Sequence, residues 1–316
     1  KSYILLVIIL FFRTRISRMI TFKQLNYALA VARHLHFKKA AEECGVSQSA
    51  LSTALSELEK QLAVRIFERD NKKVLLTTAG RLVLDKAQSI KLAVDDLQKV
   101  AEAQQPPLSF PLTIGVIPTI APFLLPTVLP AIRKSYPALS LNVVESTSTE
   151  LVAGVRDGDL DTAILALPFD IEGLLSFEFM GEDFYWVSHK RDSQPGVKEI
   201  SAAELEDEKL LLLKDGHCLK DQALEVCDFA ATSRHELSAT SLNTLIQMVR
   251  GRLGSTLVPE MALDQLLSDQ SELQAVHLNE PSPHRRIAFI IRPNYAGLNN
   301  IELLIELFRK QTKLKN

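Results

Sequence analysis

The sequence is poor in the features that mark a specialised scaffold. Three cysteines in 316 residues are too few to staple a secreted domain, so a reducing compartment is expected. With 12 Gly, 14 Pro, 47% hydrophobic and 23% charged residues, the chain is neither collagen-like nor disordered throughout. A Gly-rich phosphate loop and a nucleophile elbow are both absent. His34 and His36 stand two apart, and His277 and His284 follow near the C-terminus, without ligand-like spacing; no metal site and no cofactor is expected. The apolar run Ile4–Phe12 is too short for a membrane span, which takes about 20 residues.

What is present divides unevenly. At roughly 100–200 residues per domain, the length suggests two domains. Met19–Lys73 carries nine Lys/Arg against six Asp/Glu, while Val74–Asn316 carries 23 against 32. One end can approach a polyanion and the other would be repelled. Before Met19, the run Ile4–Phe12 is followed by Arg13, Arg15 and Arg18 in place of a small-residue cleavage site. Lys1–Arg18 is therefore expected to be an upstream or non-native extension, with the protein proper starting at Met19.

Helical periodicity runs from Phe22 to Leu62 with one interruption. Leu25, Leu29 and Ala32 share a face; Phe37, Ala40, Ala41 and Cys44 form a second stripe; Ala50, Leu51, Ala54, Leu55 and Leu58 form a third. Between the last two lies Gly45-Val46-Ser47, where glycine suits a positive-φ turn and Ser47 can cap the next helix through the N–H of residue 49 or 50. Helix, short helix, tight turn and long helix is the pattern of a helix-turn-helix. Cys44, in the stripe of the short helix, is expected to pack as a core residue.

The stretch FKKAAEECGVSQSALSTALSELEKQLAVRIFERDNKKVLLTTAG resembles the N-terminal winged helix-turn-helix of LysR-type transcriptional regulators, without gaps over some forty residues. That resemblance implies a double-stranded promoter DNA partner. It puts Ser47, Gln48, Ser49, Ser52 and Thr53 on the groove-facing side of a recognition helix, where amides and hydroxyls can read base edges. Many members have Arg where Thr53 stands. Lys38 and Lys39 open the preceding helix, and Arg69, Lys72 and Lys73 fall in the wing, suited to phosphate contact; on composition alone the lysines could equally be a solvated face. An export signal at the N-terminus would carry such a module away from DNA, so the expected location is the cytoplasm.

Val83, Ala87, Ile90, Val94, Leu97 and Ala101 are spaced 4, 3, 4, 3, 4, a heptad seam narrower than the stripe of a core-packed helix. A dimerisation helix is expected, a core helix being the other reading. Gln105-Pro106-Pro107 ends it. The expected organisation is a DNA-binding domain over 19–78, a dimerisation helix and hinge over 79–107, and a regulatory domain over 108–316.

From Leu112 the pattern becomes α/β. Leu112–Ile117, Leu139–Glu145, Thr162–Leu167, Tyr185–His189, Leu210–Leu213 and Arg286–Ile291 read as strands; Phe123–Tyr136, Thr149–Asp157, Leu242–Arg250 and Asn299–Lys310 read as helices. The family resemblance implies two Rossmann-like halves with a cleft between them, similar to periplasmic binding proteins. Ligands of such folds sit beyond strand carboxyl ends, where Pro118-Thr119 falls.

After the strand Leu210–Leu213, Asp215-Gly216 is turn chemistry and a helix is expected from His217 or Cys218. A cysteine there has its thiolate stabilised by unpaired N–H groups, and His217 and Lys220 are near enough in sequence to add charge. Cys227 follows nine residues later. In a helix the two Cα atoms would be about 13 Å apart at 1.5 Å per residue, whereas a disulfide needs roughly 7 Å or less. Either the segment unwinds to let them join, or the two thiols are unrelated and one packs as a small hydrophobe.

DGHCLKDQALEVC is similar to the redox segment of the peroxide-sensing members of the LysR family, as are LTIGVIPTIAPFLLP and LSATSLNTL to their counterparts. The resemblance covers nearly everything from Met19 to about Lys310. It implies that Cys218 is the peroxidatic thiol and Cys227 the resolving one, and that hydrogen peroxide binds among Thr119, Ser148, His217, Lys220, Asp221 and Arg285 or Arg286. Ser148 stands where Thr is common, and Lys220 where Arg is usual, keeping the charge without the bidentate fork. A homodimer or homotetramer, RNA polymerase and a glutaredoxin- or thioredoxin-type reductant are the implied partners, with no membrane and no enzymatic turnover. Two rivals remain: a LysR regulator answering to a small effector in the cleft, and a thiol peroxidase, which would leave the helix-turn-helix without a role.

Overall fold

The computed structural model describes residues 19–70, 73–102, 105–192, 196–205, 208–227, 237–268 and 270–313. Lys1–Arg18, expected to be an extension, and Lys72 of the expected wing lie outside the described residues. The chain forms two compact units, divided between Gln98 and Lys99. No helix among the described residues is long and apolar enough to cross a membrane.

The first unit contains α1 (Phe22–His34), α2 (Phe37–Glu43), α3 (Gln48–Leu62), an antiparallel hairpin of β1 (Phe67–Asp70) and β2 (Lys73–Leu76), and all but the last four residues of α4 (Thr78–Glu102). Thr21 starts α1 with a capping box, its Oγ1 accepting from Gln24 N–H while the Gln24 side chain accepts from Thr21 N–H. Gly45 has φ +64°, and the Ser47 hydroxyl accepts from Ala50 N–H at 3.2 Å, so the turn and the start of α3 are built as their residue types suggest. Leu25, Leu29, Ala40, Ala41, Leu51, Leu55 and Leu58 close one core. Cys44 caps α2 and packs half-buried against it. The heptad seam of α4 is split: Ala87 is buried with that core and Val83 packs on it, while Ile90, Val94 and Leu97 stay 46%, 37% and 68% exposed.

The second unit holds two main sheets. The first has the order β4-β3-β5-β13-β6, from β3 (Leu112–Val116), β4 (Leu141–Glu145), β5 (Thr162–Leu167), β6 (Leu175–Glu182) and β13 (Arg285–Ile291). Here β3 pairs in parallel with β4 and β5, and β13 runs antiparallel between β5 and β6. The second has the order β11-β7-β12-β8, from β7 (Phe184–His189), β8 (Glu199–Ile200), β11 (Thr256–Pro259) and β12 (Leu273–Leu278). A parallel pair of short strands, β9 (Leu212–Leu213) and β10 (Ser238–Ala239), lies apart from both sheets. The helices are α5 (Ala121–Ser135), α6 (Ser148–Asp157), α7 (Cys218–Val226), α8 (Leu242–Arg250), α9 (Glu260–Leu267) and α10 (Leu298–Lys313).

Each sheet has its own hydrophobic core. The chain crosses between sheets twice, through Asp183 from β6 to β7 and through 279–284 from β12 back to β13. The first crossing is tied to the second: His277 and Ser282 hold the Asp183 carboxylate, and Phe184 N–H donates to His284 Nδ1 at 2.8 Å. The α/β layering matches the sequence reading, but β6, β8, β10, β11, β12 and α9 had no counterpart in it.

Candidate functional site

Five buried side chains converge where sheet ends and helix starts meet. Thr119 follows β3, Ser148 begins α6, His217 and Cys218 begin α7, and Arg285 begins β13. Gly216, at φ +91°, sets the approach: its carbonyl accepts Ser148 N–H at 3.1 Å, placing the first residues of α6 and α7 side by side. Arg285 is fully buried. Its Nε donates to Glu182 Oε1 at 2.8 Å and its Nη2 lies 2.6 Å from the same oxygen. Nη1 donates to Thr119 Oγ1 at 3.1 Å and Nη2 to the Thr119 carbonyl at 3.3 Å.

Burial pushes the Cys218 thiol above its ordinary pKa, and the Asp221 charge adds to the rise. Against this act the Ser148 hydroxyl, the Arg285 charge and the Ala166 backbone. The expectation that His217 and Lys220 would supply the stabilising charge is therefore corrected. Burial lowers the His217 pKa and favours its neutral form, with Glu150 opposing. Lys220 turns away to an ion pair with Asp215. Arg286 is exposed and pairs with Glu178 at 2.8 Å, so of the two adjacent arginines only Arg285 joins the cluster. Neighbours on a strand point to opposite faces, which forces that choice. Asp221 is exposed on the first turn of α7.

Two participants went unnoticed in the sequence. Glu182 ends β6 and holds Arg285. Gln222, buried on α7, donates from Nε2 to the carbonyls of Ala166 at 3.0 Å and Pro168 at 3.1 Å, clamping the helix to the end of β5. Among the described residues, Gln222 Oε1 and Ser148 Oγ are both buried with no hydrogen-bond partner of ordinary geometry. Such atoms are the ones a small polar guest would satisfy.

Cys227 caps the far end of α7. It lies nine positions after Cys218, about 13 Å along the axis at 1.5 Å per residue. Cys218 packs into the core of the first sheet and Cys227 into that of the second. Burial, with the charge of Glu280, pushes the Cys227 thiol up to about 12.

In the first unit, Ser47, Gln48, Ser49 and Thr53 are exposed along the start of α3, and Ser52 is half-buried. Lys38 and Lys39 are exposed on α2 and Lys73 on β2, while Arg69 lies on β1.

Residues 22–81 match the bacterial regulatory helix-turn-helix protein, lysR family, and residues 107–313 match the LysR substrate binding domain. The chain belongs to the LysR family. As a LysR-type protein it is a DNA-binding transcriptional regulator, and its relatives are regulators, not enzymes. A probable hydrogen peroxide-inducible genes activator of Streptomyces viridosporus is 39% identical over 289 residues, covering 91% of this chain and 93% of the relative. A full-length OxyR variant from Pseudomonas aeruginosa superposes with a TM-score of 0.74 at 32% identity, covering 92% of this chain and 95% of that one. A hydrogen peroxide-bound OxyR variant from Corynebacterium glutamicum gives 0.63 at 34%, covering 93% and 92%.

Proposed function

We propose that this LysR-family regulator senses hydrogen peroxide by joining Cys218 to Cys227, and that the joining alters its hold on promoter DNA. The observation that carries the reading is the placement of two buried thiols at opposite ends of one helix, each in a different core, with a buried arginine, two hydroxyls and an unpartnered amide oxygen beside the first. The similarity to peroxide-inducible activators supports it.

The Cys218 thiolate attacks one oxygen of hydrogen peroxide. The O–O bond breaks, the sulfur becomes sulfenic acid, and the departing hydroxide takes up the proton the thiol gave up, leaving as water. Arg285, Thr119 and Ser148 supply donors for the developing negative oxygen. Cys227 then attacks the sulfenic sulfur, an S–S bond forms and a second water leaves. Since a disulfide holds its Cα atoms within roughly 7 Å, α7 must unwind and at least one thiol must leave its core. That remodelling is the signal. A cytoplasmic dithiol of glutaredoxin or thioredoxin type returns two electrons and resets the switch.

Ser47, Gln48, Ser49, Ser52 and Thr53 face the DNA groove, with Lys38, Lys39, Arg69, Lys72 and Lys73 on phosphates. Ile90, Val94 and Leu97 meet a second copy, giving the dimer or tetramer that contacts RNA polymerase. The rival reading, an effector bound between the lobes, draws on a cavity of about 250 Å³ lined by Phe123, Leu124, Met180, Tyr185, Glu260 and Met261. Mass mapping of Cys218 and Cys227 before and after stoichiometric peroxide separates the two. A linked peptide pair formed only after treatment supports the redox reading; no pair, with peroxide-dependent footprints intact in Cys218→Ser, overturns it.

A further inference from the structure

Resting on that reading, we infer that Glu182 is a positioning residue for the peroxide chemistry: it holds the Arg285 guanidinium by one edge so that the other edge faces Thr119 and the reacting sulfur.

Glu182 and Arg285 are register partners across β6 and β13, at the two points where the chain crosses between sheets. Both side chains are fully buried. The guanidinium is planar, and its five N–H donors have fixed directions. Once Nε and Nη2 share Glu182 Oε1, the other three N–H groups have their directions set, and Nη2 meets the Thr119 carbonyl while Nη1 meets Thr119 Oγ1. The carboxylate itself cannot swing, because Oε2 accepts Met261 N–H at 2.9 Å in the first turn of α9, where a negative charge is favoured. Glu182 thus joins a helix start on the second-sheet side to the arginine beside Cys218. It also sets a negative charge behind the positive one, which offsets part of the Arg285 pull on the thiolate.

Acidity and donor placement should therefore separate when Glu182 is changed. Glutamine can still accept from Arg285 through its oxygen, but its NH₂ cannot accept Met261 N–H, and the offsetting charge is gone. The experiment uses the full chain carrying Cys44→Ser and Cys227→Ser, so that Cys218 is the reporting thiol. Thiolate ultraviolet absorbance against pH gives its ionisation, and dimedone trapping after hydrogen peroxide gives the oxidation rate. For Glu182→Gln the ionisation midpoint is expected to be unchanged or lower, while the oxidation rate at equal thiolate fraction falls by about tenfold or more, as for a displaced oxyanion donor. Glu182→Asp keeps the charge one methylene back and should lose rate with little change in midpoint; it serves as the test if the glutamine variant fails to fold. Rates at equal thiolate fraction within twofold of the parent would overturn the inference, as would a loss accounted for wholly by a raised midpoint. If the parent itself forms no sulfenic acid, the proposed function fails; if the parent reacts and the Glu182 variants match it, only the role of Glu182 falls.

Discussion

Cys218 and Cys227 are one helix apart, both buried and both held above the usual thiol pKa, yet they occupy different chemical settings. Around Cys218, desolvation is opposed by a hydroxyl, a guanidinium and a backbone group. Around Cys227, among the described residues, burial and the Glu280 charge both raise the pKa. A thiol with donors nearby can react where it sits. One without them is a small hydrophobe until it leaves its core. In the proposed mechanism the resolving step is thus tied to a conformational change by the energetics of the second site, and the first step is not.

The largest expected effect comes from erasing the first setting. Cys218→Ser should abolish both the peroxide-induced disulfide and the change in DNA footprint, while Cys227→Ser should keep sulfenic acid formation at Cys218, detectable by dimedone mass mapping, and lose only the disulfide. Equal loss of the first oxidation step in both variants would remove the distinction. Next comes Arg285→Ala, which leaves the buried Glu182 carboxylate unpaired. Breaking a buried pair from one side costs about 3–5 kcal/mol, so the urea midpoint of the second unit should fall markedly, along with the oxidation rate. A variant as stable as the parent would mean that the pair is not buried in solution.

This asymmetry was only half legible in the sequence. The helix-turn-helix could be read because its apolar spacing, Gly45 and Ser47 are local signals. The arithmetic on Cys218 and Cys227 needed only a helix between them. What was missed depends on direction in space. Lys220 is two residues from Cys218 and looks like its charge partner, but Asp215 lies in the preceding turn and takes it. Arg285 and Arg286 are indistinguishable by type, although strand alternation dictates that only one can face inward. Glu182 sits in the apolar stretch FMGEDFYW, where a carboxylate beside strand residues hints at a buried partner, yet the partner lies 103 positions away. The strands β11 and β12 escaped because they take their pattern from pairing with β7, and α9 because it spans only eight residues.

A smaller effect should separate the clamp from the chemistry. Gln222 holds α7 to β5 through two carbonyl contacts at the Cys218 end. Gln222→Ala removes hydrogen bonds worth roughly 0.5–1.5 kcal/mol each, so α7 should unwind more readily. Disulfide formation after sulfenylation is then expected to speed up by roughly fivefold to tenfold, with the sulfenylation rate changed less, both read by quenched-flow mass mapping. Slower closure would mean that Gln222 assists the crossing of Cys227 and is not a brake on it.

The gentlest test leaves Cys218 unaltered and titrates the second thiol. Burial raises Cys227 from an ordinary 9.0 to about 12, so the fold favours its protonated form. Stability from this source is fully present below about pH 9 and is lost as pH climbs toward about 12, because the unfolded chain ionises first. The melting temperature of the reduced protein should therefore decline more steeply between pH 9 and 11 than that of Cys227→Ala, whose buried methyl group cannot ionise. Parallel slopes would show that Cys227 already reaches water in the reduced fold, and the two thiols would then differ in distance from peroxide but not in setting.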